Sequence, residues 1–245
     1  MRTLPNIVPQ TLTPGQQHGR ILFNSASDPR LSAQATGGVA CASCHPDGRE
    51  DGHTWDFPEG SRNTPSLVGR FIGSTAPYHY DGQVAGPIDF GMVVTVRMGG
   101  TGIGASDFED IFAFLESEPA PDNPNRAPDG SLTPDQAAGA MLFNVAGCGS
   151  CHGGPALTDN GFHNVSSGFT TVPMSILQTG IIPQSAVAPS VPNTPSLLGA
   201  FAAPPYLHDG SMDTLHDVVA SGHGRGTAIL SDAQVDQLVA YLQRL

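Results

Sequence analysis

Basic charge is scarce in this chain: 10 Lys and Arg face 22 Asp and Glu, a formal net charge of −12. That balance argues against nucleic acid and against anionic membrane surfaces, which are both recruited by basic patches. No apolar run is long enough to span a bilayer, and Met1 to Asn6 lack the apolar stretch of a secretory signal. Charged residues of either sign make up only 13%, while Gly (30) and Pro (22) are abundant, so much of the chain is expected to be loop. Its 245 residues suit two small domains, or one of generous size.

Cysteine is also sparse, and none is left over once two motifs are counted. Cys41-Ala42-Ser43-Cys44-His45 and Cys148-Gly149-Ser150-Cys151-His152 use all 4. The C-x-x-C-H pattern reads as c-type haem attachment. Two thiols at that spacing add across the vinyl groups of one porphyrin, and the adjoining histidine becomes the proximal iron ligand. A four-thiolate zinc site would bring its C-x-x-C pairs much closer together in sequence. A thioredoxin-like site needs a βαβ context that is missing, and two disulfides would leave both histidines unexplained. The expectation is two covalently bound haem c groups, held by Cys41, Cys44 and His45 and by Cys148, Cys151 and His152. Covalent attachment belongs to the translocated side of a membrane, so the protein is expected to be exported, periplasmic or otherwise, with its signal outside this sequence.

The chain also repeats itself. Leu12-Thr13-Pro14 leads to Leu22-Phe23-Asn24, and Leu132-Thr133-Pro134 leads to Leu142-Phe143-Asn144. After each C-x-x-C-H comes Asn-Thr-Pro-Ser-Leu, at 63–67 and 193–197. Ala76 to Gly82 then matches Pro204 to Gly210, and Ile111 to Leu115 matches Leu238 to Leu242. This predicts a tandem duplication: a first domain at 1–120, a linker at 121–130 and a second domain at 131–245. The fold class is mainly α. Thr13 and Thr133 read as N-caps, each with Pro next and Gln16 or Gln136 closing a capping box. Ser106 and Ser231 read as caps of a last helix in each repeat. Phe108, Ile111, Phe112 and Leu115 share a face of one, and Val235, Leu238, Val239 and Leu242 a face of the other. The stretch from Gly153 to Pro192 reads as loop.

The distal ligand separates an electron carrier from an open, reactive iron. Aligning the repeats puts Met98 and His223 in the same place, in Gly-bounded loops before the last helix. Both residue types ligate haem iron, which pairs His45 with Met98 and His152 with His223. A thioether ligand raises the potential, making the first haem the more oxidising. Met92 and His53 are the competing ligands for that haem. His79, His163 and His208 are candidates for propionate bonding or for the solvent face, and His18 and His216 for plain surface positions.

These features resemble the bacterial dihaem cytochrome c peroxidase family, MauG-type enzymes included. The resemblance is carried by Thr158 to Asn164 and Pro205 to Gly210 after the second motif, and by Gly52-His53, Trp55 and Arg62-Asn63 with Pro65 after the first. It implies two tandem cytochrome c-like domains, each a few helices with long loops around one haem. It gives His53 weight as a releasable distal ligand and puts Tyr80 where the family keeps an inter-haem tryptophan. Asn63 matches the side-chain ligand of a calcium ion. Arg97 stands where the peroxidases keep a glutamate over the first haem, so Arg97 and Tyr80 are the candidate catalytic residues. The expected role is single-electron transfer with a small redox protein, a cytochrome or cupredoxin, with peroxide reduction as the alternative. Membership of a larger exported protein, or a homodimer, fits the same reading.

Overall fold

The computed structural model describes residues 11–57, 60–70, 72–80, 82–163, 165, 192–224 and 230–245. Met1 to Asn6, Asp81, Asn164 and most of the expected loop at 153–192 lie outside the described residues. Among the described residues five α-helices carry the architecture: α1 (Pro14–Phe23), α2 (Ala105–Ser117), α3 (Pro134–Val145), α4 (Leu215–Ala220) and α5 (Asp232–Gln243). One short antiparallel pair, β1 (Thr54–Phe57) with β2 (Gly60–Asn63), has Trp55 opposite Arg62 and Thr54 opposite Asn63. The fold is mainly helical. Among the described residues no helix is long and apolar enough to cross a membrane.

Contacts group the chain into two compact units, Met1–Ser43 with Pro87–Glu118, and Cys44–Gly86 with Pro119–Leu245. In the first unit, α1 packs on α2. Leu22 and Phe23 of α1 are buried with Phe108, Ile111, Phe114 and Leu115 of α2. The rings of Phe23 and Phe114 lie 5.7 Å apart. In the second unit, α3 packs on α5. Phe143 joins Leu215, Val219, Val235, Leu238 and Leu242 in one cluster, and its ring is 5.5 Å from that of Tyr241. Each such buried side chain contributes on the order of 1.5–3 kcal/mol.

Glycine brings both helix pairs into backbone contact. A Cβ on Gly19 would run into the carbonyl of Asp110, and one on Gly139 into the carbonyl of Gln237. The two glycines sit at the same step of α1 and α3, six residues after the capping threonine.

Helix starts follow from local chemistry. Thr13 and Thr133 accept from the backbone N–H of Gln16 and Gln136 at 3.3 and 3.2 Å, and each glutamine side chain accepts from its threonine's own N–H. Thr13→Ala or Thr133→Ala is expected to cost about 1 kcal/mol, seen as a lower melting temperature. The cap of α2 differs from the expected Ser106. The helix starts at Ala105, and Asp107 accepts from the N–H of Gly104 at 3.1 Å, because a carboxylate three residues in reaches an orphan donor there.

The expected linker at 121–130 is fastened down. Asn123 and Asn125 donate to Gln243 O, and Arg126 donates to Arg244 O and Leu245 O. These bonds satisfy carbonyls at the end of α5, which have no partner within the helix.

Candidate haem sites

α3 delivers the chain to the second motif. Gly147, in the left-handed region at φ 80°, turns it into a 3-10 turn at Cys148–Ser150. His152 N–H then bonds Cys148 O at 2.9 Å, so both thiols and the imidazole come off one tight turn. The first motif makes the same kind of turn at Cys41–Ser43, and the boundary between the two compact units falls just after it. None of the 4 cysteines forms a disulfide, and all are partly buried. Burial pushes the thiols of Cys44 and Cys148 up.

Each motif histidine is oriented by a backbone carbonyl. His45 Nδ1 lies 3.0 Å from Pro65 O, and His152 Nδ1 lies 3.3 Å from Leu157 O, with Pro195 also acting on it through its backbone. A carbonyl only accepts, so Nδ1 carries the proton and the lone pair is left on Nε2, the arrangement of a metal-ligating histidine. Burial is the main reason that His45 is pushed down to about 4; the charge of His79 adds to the fall, while the Pro65 bond and Asp51 oppose it. His152 is likewise pushed down to about 4, by burial first and then by the charge of His223. Both imidazoles are therefore neutral near pH 7. Pro65 and Pro195 are equivalent prolines of the repeated Asn-Thr-Pro-Ser-Leu. Sequence reasoning found that motif without finding its carbonyl's task.

The distal candidates fall differently. His223 follows α4, is partly buried, and lies close enough to His152 for its charge to register there. Met98 closes a π-helical turn at Val93–Arg97, is partly buried, and its carbonyl accepts from Ala33 N–H at 2.8 Å. Met92 is the N-cap of that turn, and Arg97 is its last, exposed residue. His53 is exposed, its ring edge-on to Trp55 at 4.6 Å, while Asp51 accepts from both His53 N–H and Trp55 Nε1. The histidine whose charge reaches His45 is His79.

Among the other histidines, His208 is buried at 5% exposure. His163 Nε2 pairs with Asp159 at 2.7 Å, and Cys151 completes a group of three with them. His18 was expected as a plain surface residue, yet its Nδ1 bonds the Asp110 carboxylate at 2.8 Å, because α1 and α2 pack so closely. His216 is about half exposed and lies 3.6 Å from Asp236.

A reciprocal clasp occupies the second unit. Asn63 donates its side-chain amide to Pro205 O and to Leu207 O, and its backbone N–H to His208 O. Asn193 donates its amide to Pro77 O and its N–H to Tyr80 O, both at 2.7 Å. Each asparagine thus holds the turn that follows the other one. The turns match in detail: Tyr78 OH donates to Ile72 O and Tyr206 OH to Ala200 O, both at 3.0 Å. Tyr80 and His208, at equivalent steps, meet edge to face at 6.1 Å. Burial pushes Tyr80 up to about 12, with Arg70 and Arg62 pulling the other way, so its phenol stays protonated at neutral pH. The Asn63 amide faces carbonyls as a hydrogen donor. Calcium binds through oxygen; the carbonyls of Pro205 and Leu207 gathered at the Asn63 side chain are oxygen donors, which the amide oxygen of Asn63 would join once the amide is turned. Asn63→Ala is expected to cost about 1–3 kcal/mol, since it strands carbonyls in a partly buried turn; the difference in denaturant midpoint measures it.

The cytochrome c family model matches residues 136–245. The chain is 28% identical to hydrazine synthase subunit gamma of Kuenenia stuttgartiensis, over 94% of this chain and 77% of that protein. It is 29% identical to a cytochrome-c peroxidase of Pseudomonas sp. strain SCT, over 56% of this chain and 46% of the relative, about half its length. The solved structure of a MauG-like protein associated with microbial copper homeostasis shares the fold. Its TM-score is 0.66 at 22% identity, over 99% of this chain and 91% of that one. These likenesses support a dihaem cytochrome c peroxidase and MauG-like family for the chain.

The cytochrome c match and these relatives imply covalently bound haem c, and the residues present fit the group. Free thiol pairs in a tight turn, each beside a neutral imidazole whose Nδ1 is already engaged, are the donor set such an attachment needs. Cys148, Cys151 and His152 lie on the turn that follows α3, within the matched segment.

Proposed function

We propose that the chain is an exported dihaem c-type cytochrome that passes single electrons between redox partners outside the cytoplasm. Its domains are 1–120 and 131–245, one haem to each, joined through 121–130. The observation that carries this reading is the twin arrangement of His45 on Pro65 O and His152 beside Leu157 O, each next to its own thiol pair.

Bound haem c supplies a one-electron iron couple. The chain's own residues do the rest. Cys41 with Cys44, and Cys148 with Cys151, would hold the porphyrins through thioethers. His45 and His152 present Nε2, held in register by the carbonyls behind them. Met98 and His223 would complete the hold on the irons, with His53 the alternative at the first site. Tyr80, protonated and set against His208, lines the path between the two sites. The acidic surface steers a small basic redox protein, a cytochrome or cupredoxin, at a rate that falls with salt. A larger exported assembly or a homodimer fits the same chemistry.

Peroxide reduction at the first site is the second reading. It is favoured by His53, which sits exposed against Trp55 while His79 is the histidine felt at His45. It is opposed by Arg97, which cannot take up a proton where a peroxidase needs an acid–base group worth ~10²–10⁴ in rate.

Low-temperature EPR of the oxidised and half-reduced protein, with and without H2O2, tests the choice. Two low-spin haems indifferent to peroxide are expected. A high-spin signal consumed by peroxide would hand the lead to the second reading.

A further inference from the structure

We infer that Arg70 is the counterion of a propionate on the first haem; this rests on the haem reading above and deepens it. Arg70 is partly buried, and its Nε is shut off from solvent with no hydrogen-bond partner among the described residues. Glu50 and Tyr80 act on it by charge alone, not through a hydrogen bond, and Tyr80 in turn feels Arg62 and Asp209. Burial is the main influence on the guanidinium and holds its pKa below the usual arginine range. A guanidinium enclosed in this way is costly unless an anion completes it, and its planar fork matches a carboxylate.

The position of Arg70 says which carboxylate. The segment that precedes it is tied to the first motif twice, through His45 Nδ1 with Pro65 O and through Leu67 N–H to Gly48 O at 2.8 Å. A haem attached at Cys44 and His45 brings two propionates into this neighbourhood, the only anionic groups the proposed cofactor adds. In the second repeat the equivalent residue is Ala200, one step after Gly199 as Arg70 is one step after Gly69. The pairing is therefore specific to the first haem.

Midpoint potentials of both haems, titrated spectroelectrochemically at mildly acidic and mildly alkaline pH, test the assignment in the intact protein. In the wild type the first potential is expected to be nearly independent of pH, since the paired propionate stays ionised throughout. In Arg70→Gln it should be lower at alkaline pH, where the carboxylate is uncompensated, and recover on acidification as that carboxylate takes a proton. The second potential should not move, and Arg70→Lys should stay near wild type. An unchanged first potential and slope in Arg70→Gln overturns the inference. So does a first potential that Glu50→Gln raises as far as Arg70→Gln lowers it, which would make Glu50 the counterion.

If Arg70→Gln does not fold, Arg70→Lys decides through the redox-difference infrared spectrum. A displaced propionate carboxylate band supports the pairing, and an unmoved one overturns it. Purified protein with no covalent haem overturns the function and the inference together, a result that the haem content reveals before any titration.

Discussion

Replacing Cys148 and Cys151 together by alanine is expected to remove one of two covalent haems and leave the other. Haem content, measured on the denatured chain so that only covalent haem is counted, should fall by about half. The same loss is expected from Cys41→Ala with Cys44→Ala. The reason is chemical: a thioether survives unfolding, whereas axial ligation does not. His152→Ala separates the two bonds. It should retain its haem after denaturation, yet change spin state when native, because the carbonyl-held imidazole beside the second motif is gone. Loss of haem should also weaken the second unit, because a large apolar plate would leave its core. If the wild-type chain holds no haem after denaturation, the attachment reading of both motifs fails.

Gly139→Ala should destabilise the protein by about 1–3 kcal/mol, the usual result of overpacking. The sign of the change is the test. At an uncrowded position inside a helix, alanine in place of glycine stabilises by about 1 kcal/mol. At Gly139 the new methyl would meet the Gln237 carbonyl, which belongs to the neighbouring helix backbone and cannot swing away as a side chain could. α3 and α5 would have to separate, loosening Phe143 from Leu238 and Leu242. Gly19→Ala should behave alike between α1 and α2, through Asp110 O. Chemical denaturation followed by far-UV circular dichroism gives both values. A rise in stability at either site would show that the helices do not touch there.

Local chemistry was the legible part. The threonine caps of α1 and α3 appear where their three-residue spacing placed them, because a capping box closes within one turn. Val235, Leu238 and Leu242 are buried together on α5, as a helical period requires. On α2 the period was right and one residue was not: Phe114 is buried, while Phe112 is only partly so and turns to Phe90, at 5.9 Å. The start of α2 was misjudged because Ser106 and Asp107 both resemble capping partners, and only the backbone path shows which is used.

Where thiols, imidazoles and helix caps stand along the chain follows from residue order, since each depends on neighbours a few residues away. Packing settled the rest: that Pro65 O would hold His45, and that Asn63 and Asn193 would each grip the other's turn. Those partners are backbone carbonyls, which every residue carries, or groups far apart in sequence. No residue type announces them, and the packing of helices and turns alone brings them within reach.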